Sequence, residues 1–261
     1  MNMDLSDRNV LVTGASKGIG FACAVAFAAE GAKVAIVSRT QANLDGALAR
    51  FPRSKHPPIA IAADLVDPKE AARAVDAAVA ALGPIDVLVN SAGAARRYAP
   101  DDLDAQAWHD SMNAKFFSYI HPTDIVVKQM AARGQGAIVN IIGAGGKSAS
   151  PMHIPGGSAN AALMLATVGL AAAFGPKGVR VNGINPGTTT TDRMLEGLRV
   201  EATMTGLSVA ELRERGEKRL PLGRYATSEE IASVAVFLAS PRASYVTGAI
   251  VPMDGGAGRM P

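Results

Sequence analysis

Glycines at positions 14, 18 and 20 break the run Val10-Leu11-Val12-Thr13-Gly14-Ala15-Ser16-Lys17-Gly18-Ile19-Gly20, and their spacing suits an anion. A β-branched and aliphatic stretch ends at Thr13, and an apolar, alanine-rich stretch begins at Phe21. The pattern predicts a strand, a tight turn and a helix N-terminus. Unpaired N–H groups and the positive end of the helix dipole attract a phosphate there. Absent side chains let the backbone approach it closely. Gly14, Ser16, Lys17, Gly18, Ile19 and Gly20 are therefore candidate contacts for a dinucleotide.

Other polar residues fall where such a ligand would pass. The run Lys33–Val37 ends in Ser38-Arg39. A carboxylate near this point holds the adenosine ribose of NAD in many dinucleotide-binding sheets. Here a guanidinium stands beside that position, and an arginine grips a 2′-phosphate where a carboxylate repels it. The pattern favours NADP(H) over NAD(H); Arg39 as an ordinary solvated loop residue is the other reading. Asp64 follows the third strand-like run and suits the adenine amino group. Asn90-Ser91-Ala92-Gly93 closes the fourth, with small residues that admit a ligand. Pro186-Gly187 turns the chain after the sixth, and Thr188 to Thr191 offer hydroxyls and N–H groups to a carboxamide. Asn113, in the long helical region between, is a lone polar residue among Met112, Phe116 and Phe117.

These residues need a scaffold, and the chain supplies an alternating one. Strand-like runs at Asn9–Val12, Lys33–Val37, Pro58–Ala62, Ile85–Val89, Ala137–Ile142, Gly178–Ile184 and Ala249–Val251 are nearly continuous in apolar residues, as in a parallel sheet buried on both faces. Helix-like segments separate them, among them Phe21–Glu30, Pro68–Leu82 after Asp67, and Ser228–Leu238 after Thr227. The expected fold is one α/β domain over residues 1–261, a Rossmann-like doubly wound sheet of about seven strands with helices on both faces. Ligands belong beyond its C-terminal strand ends. The polar segment 193–220, with apolar Met194, Leu195, Leu198 and Met204, reads as a substrate lid or as an exposed helix pair.

Composition narrows the classes. Net charge is only +3, and the densest basic group, Arg213 to Arg219, is interleaved with Glu211, Glu214 and Glu217. That is a solvated helix face, so no nucleic-acid partner is expected. The single cysteine, Cys23, sits in an apolar helix and suits a reducing, cytoplasmic location. Residues 1–10 lack a signal-peptide pattern. Ala161 to Phe174 reads as a buried helix too short to span a bilayer. Neither a membrane partner nor a metal is expected.

Together, Thr13 to Gly20, Asp64-Leu65, Asn90-Ser91-Ala92-Gly93, Asn113, Asn185-Pro186-Gly187, Val246-Thr247-Gly248 and Met253-Asp254-Gly255-Gly256 resemble the short-chain dehydrogenase/reductases, closest to their ketoacyl-reductase-like branch. The resemblance covers essentially the whole length. It implies a nicotinamide cofactor, a small carbonyl or alcohol substrate, and a homo-tetramer or homo-dimer. It also implies cofactor contacts at Leu65, Asn90, Ala92, Gly93, Pro186, Gly187, Thr189 and Thr191. The family's chemistry uses a serine, then a tyrosine with a lysine four residues later, supported by an asparagine. Here the serine position falls on Gly143, the tyrosine on Gly156 and the lysine on Asn160, leaving Asn113 as the expected surviving member. Asn160 can still hydrogen-bond a ribose hydroxyl, but it carries no charge.

Loss of a positioned proton donor typically costs about 10²–10⁴ in rate, so the gap needs an account. His153 is a candidate acid on an imidazole's titration range, although a lone loop histidine is also an ordinary packing residue. Tyr98, Arg96 and Arg97 enter from the loop after the fourth strand, where a solvated basic loop is the plainer reading. Three functions stay open at this point: an NADP(H)-dependent oxidoreductase with a remodelled acid–base site, a non-catalytic NADP(H)-binding sensor or partner subunit, and a non-redox enzyme using the same pocket.

Overall fold

A computed structural model describes residues 3–93 and 97–258. Its seven strands are β1 (Asn9–Thr13), β2 (Lys33–Ser38), β3 (Ile59–Ala62), β4 (Val87–Asn90), β5 (Gly136–Ile141), β6 (Val179–Pro186) and β7 (Ile250–Met253). They form one parallel sheet in the order β3-β2-β1-β4-β5-β6-β7. The order reverses between β1 and β4, and the crevice at such a switch point receives ligands in this architecture. The central strands are apolar on both faces because helices cover both. One core packs Val10, Val12, Val34 and Ile36 against α1 (Gly18–Ala29) and α9 (Ser228–Ala239). The other packs Leu11, Ala35, Leu88 and Ile138 against α3 (Pro68–Leu82) and α5 (Ser118–Arg133).

Local signals explain most element ends. Thr40 caps α2 (Gln41–Arg50), Asp67 caps α3 and Thr227 caps α9, each through its own side chain. Arg180 on β6 does a tertiary version of the same work. Its guanidinium donates to the carbonyls of Leu238, Ala239 and Ser240 at the end of α9, and to that of Val246. Partial burial lowers its pKa from the usual arginine value without unpairing it. Replacing Arg180 with Met strands several of these acceptors, at about 1–3 kcal/mol for a buried unsatisfied group. Urea denaturation should show a loss of about 2–4 kcal/mol; a loss under 0.5 kcal/mol would mean the carbonyls find water instead.

Helix α6 (Ile154–Phe174) departs from expectation. With its flanking turns it is long and apolar enough, by length and composition alone, to cross a membrane, so the shorter reading of 161–174 fails. It is also not a fully buried helix. Gly156, Ala159, Asn160, Leu163, Thr167 and Ala171 face the protein, while Leu165 is 76% exposed and Val168 45%. A helix apolar on every side gives no indication of which side the sheet will cover.

The expected lid segment forms two helices, α7 (Asp192–Thr205) and α8 (Val209–Glu217). With Tyr225 they border a cavity of about 460 Å³ that includes Leu198, Glu201, Leu212 and Arg219.

Candidate active site

The glycine turn forms as its residues dictate. Gly14 and Gly18 have φ of +63° and +58°, which favours glycine. A Cβ on Gly14 would stand 2.5 Å from the Ser91 carbonyl oxygen and 2.6 Å from Ala92 Cα; one on Gly20 would collide with the Gly14 carbonyl. The Thr13 hydroxyl oxygen accepts from the N–H groups of Ser91 and Ala92, at 3.1 and 3.3 Å. The ends of β1 and β4 are thus joined directly beneath the turn. Helix α1 begins after Lys17 with no side-chain cap. Its first N–H groups are left for an anion, so the turn fits a dinucleotide phosphate.

Charge beside the glycine turn is positive. Arg39 is exposed and lies close enough to Arg193, on the first turn of α7, to help lower that residue's pKa; burial is the larger cause and Glu196 opposes both. The Thr191 methyl sits 3.6 Å from where a Gly18 Cβ would be, and its hydroxyl oxygen caps α7 by accepting from Met194 N–H at 3.2 Å. The first turn of α7 therefore stands over the glycine turn. Ser38 donates to the Ser16 hydroxyl at 3.0 Å, and Arg50, stacked on Phe21, donates to the Ser16 carbonyl at 2.9 Å. Arg50 escaped notice in the sequence because it lies a whole helix away from the turn it holds.

The remaining expected contacts are distributed unevenly. Ile19 and Ala92 pack in or against the core. Asp64 is exposed, with one carboxylate oxygen accepting from Val66 N–H. Leu65 is buried, and its carbonyl lies 3.0 Å from His121 Nδ1. A Cβ on Gly93 (φ +82°) would overlap the Ala114 carbonyl. Gly187 and Thr189 are locked at the end of β6, Gly187 N–H to Met253 and the Thr189 hydroxyl to the Gly187 carbonyl; Pro186 is the last residue of that strand. Asn90 also braces the sheet, while its Oδ1 is buried with no partner among the described residues. Its amide nitrogen donates to Thr123 and Asn140, and Asn140 continues to Thr167. This is a buried polar brace through the sheet, so its side-chain N–H groups point into the protein.

Around the vacant positions the chain has closed in. Gly143 follows β5 at φ +133°, a backbone that side chains rarely accept. Asn160 Nδ2 lies 3.2 Å from where its Cβ would be, and His153 Cδ2 is 3.2 Å from the same point on Gly145. Gly156 is buried. Asn160 itself is 6% exposed, and its Oδ1 has no hydrogen-bond partner among the described residues. Such an orphaned acceptor fits a ribose hydroxyl of a bound nicotinamide nucleotide. Tyr98 N–H donates to the Met152 carbonyl, which brings the loop after β4 against this one. Arg97 is exposed; Arg96 lies outside the described residues.

Asn113 falls on a π-helical turn, Met112–Phe117, where α4 (Ala105–Ser111) meets α5. It is exposed. The buried polar residue of that turn is Lys115, which sequence reasoning passed over. Its ammonium nitrogen lies 2.7 Å from the Tyr119 hydroxyl and 3.0 Å from the Ile141 carbonyl. Burial, with Arg193 as a further positive neighbour, pulls its pKa down to about 7. The i, i+4 set Ser111, Lys115 and Tyr119 is buried throughout, and that spacing was the available signal.

Comparison with known proteins agrees with this architecture. The family described as enoyl-(acyl carrier protein) reductase matches residues 14–258. L-xylulose reductase of Mesocricetus auratus is 34% identical over 257 residues, covering 98% of each chain. Galactitol 2-dehydrogenase (L-tagatose-forming) of Cereibacter sphaeroides is 37% identical over 250 residues, covering 94% of this chain and 92% of that one. The crystal structure of L-sorbose reductase from Gluconobacter frateurii, complexed with NADPH and L-sorbose, matches all of both chains with a TM-score of 0.94 at 27% identity. By its glycine turn, its strand order and these likenesses, the chain belongs to the short-chain dehydrogenase/reductase family of oxidoreductases.

Proposed function

We propose that this oxidoreductase uses NADP(H) to interconvert a small sugar-like ketone and its alcohol, through an acid–base site that differs from the family's usual one. The observation that supports the reading is a glycine turn shaped for a phosphate, with Gly143 lying against Asn160 where the family's serine and lysine positions fall. Bound NADPH would supply the hydrogen and electron pair for the carbonyl carbon. The chain's part is to hold that cofactor at Gly14 to Gly20, Arg39, Gly93, Asn160 and Thr189 to Thr191, and to provide a proton. The sugar and polyol chemistry named for the relatives supports the substrate class. We further propose a cytoplasmic homo-oligomer, with the exposed apolar side of α6 as one surface available for self-association.

Incubation with NADPH and L-xylulose or L-sorbose tests the reading, followed by nicotinamide absorbance and product analysis. Polyol formation matched to NADPH loss supports it. Cofactor binding without turnover of any ketose would favour the sensor reading. Cofactor choice has its own test. Arg39→Ala should weaken NADPH binding about tenfold, roughly 1.4 kcal/mol, and leave NADH binding within twofold. Equal losses for both would remove Arg39 from 2′-phosphate recognition.

A further inference from the structure

Lys115 is hard to explain as a structural residue. It is 8% exposed, and among the described residues no carboxylate pairs with it. A buried lysine ordinarily has such a partner. What faces it is Tyr119 from α5, the Ile141 carbonyl from β5 and the positive charge of Arg193 from α7. Tyr119 donates its own proton to Ile141 at 2.6 Å, so its hydroxyl oxygen is left to accept from the lysine. The amine thus has two acceptors. A neutral amine is satisfied by them and keeps its lone pair; an ammonium has one hydrogen left for another acceptor.

The position of that hydrogen matters. Ile141 is the last residue of β5, two residues before Gly143, a span of at most about 7 Å. The π-turn that bears Lys115 packs on α6, the helix of Gly156 and Asn160. Four residues before Lys115, the Ser111 hydroxyl is also buried with no hydrogen-bond partner among the described residues, as is Asn160 Oδ1. An amine with no carboxylate partner and orphaned polar atoms therefore lie on the elements that carry Gly143, Gly156 and Asn160, or pack on them.

We propose that the Lys115 amine is the proton donor and acceptor of this site, taking over from the side chains absent at Gly143, Gly156 and Asn160. The inference rests on the reductase reading above. In the reducing direction the carbonyl carbon gains hydrogen with its electron pair from the dihydronicotinamide, which leaves oxidised. The carbonyl oxygen takes a proton from the Lys115 ammonium, directly or through one water. The C=O π bond becomes C–H and O–H bonds, and the neutral amine is reprotonated from solvent. In the alcohol-oxidising direction the same amine, unprotonated, takes the hydroxyl proton.

The test combines two variants with a titration that needs no turnover. Lys115→Met and Lys115→Arg are compared with wild type for ketose reduction, with thermal melts to check folding. Both variants should lose at least about a hundredfold in kcat, because arginine keeps the charge but releases no proton near neutrality. The 13Cε signal of Lys115 in lysine-labelled enzyme, assigned by its absence in Lys115→Met, should titrate near neutrality with NADPH bound and move when L-xylulose is added. Full activity in Lys115→Arg would overturn the proposal and leave a fixed charge as the lysine's role. Wild-type-like rates and an unshifted pH profile in Lys115→Met would overturn it with the reductase reading intact. A signal that titrates at the ordinary lysine value and ignores the ketose overturns it too. A wild-type protein that turns over no ketose brings down the reductase reading itself, and the lysine's role with it.

Discussion

Gly20→Ala should abolish NADPH binding under conditions where Gly46→Ala binds normally and unfolds at slightly higher denaturant. The two substitutions are chemically identical, and both glycines are helical. Their surroundings decide the result. At Gly20 a Cβ collides with the Gly14 carbonyl and comes within 3.2 Å of the Ser91 hydroxyl. The first contact is backbone and cannot rotate away. The turn must open, and the N–H groups that would cradle a phosphate move with it. Displacements near 1 Å at such sites cost about a hundredfold. At Gly46 nothing lies within 4 Å of the new atom. There alanine only reduces the freedom of the unfolded chain, which adds about 0.5–1 kcal/mol. Fluorescence titration with NADPH and paired urea melts read both effects. If Gly20→Ala retains affinity within threefold, the glycine turn is not the phosphate cradle.

Some of this was open to sequence reasoning, and the boundary follows from physics. β1, β2 and β5 were legible because a strand buried on both faces is a nearly unbroken apolar run, and few other structures have that signature. The cap at Asp67 and the stop at Gly83 fixed α3 to the residue, since each acts through local chemistry. Side-chain tasks that depend on contacts distant in the chain were not legible. The brace that Asn90 makes is one, because only the folded sheet brings it to Thr123 and Asn140, residues 33 and 50 positions away. Lys115 was missed because lysine ordinarily belongs to solvent, and because a π-turn shifts the helical phase at the point where facing must be judged. The small residues at 143, 156 and 160 were plain in the sequence. The φ of +133° at Gly143 was not. It means that restoring a serine there requires the backbone to move first.

Lys115→Met should raise thermal stability, by more at pH 6 than at pH 10. The Lys115 amine titrates at about 7 in the folded chain, against 10.5 for an ordinary lysine. Burial, with Arg193 adding to it, disfavours the ammonium. Below pH 7 both folded and unfolded chains hold the proton, and the folded state carries the full penalty of a buried cation. Between about 7 and 10.5 only the unfolded chain stays protonated, so wild-type stability climbs with pH; above 10.5 the penalty has gone. At about 1.36 kcal/mol per pH unit the whole effect is of the order of 4–5 kcal/mol, or roughly 10 °C in Tm for a chain of this size. Methionine removes the titrating group at similar length, and Tyr119 still donates to Ile141, so no polar group is stranded. A Tm below wild type at pH 6, or a gain independent of pH, would mean that the amine is solvated or paired in the folded protein. The predicted gain makes Lys115 costly to keep, and under the proposed reading a costly buried cation near Gly143 is what a stability–activity trade-off leaves in a structure. Stability and turnover should therefore move in opposite directions in the same variant, an outcome that a merely structural lysine does not produce.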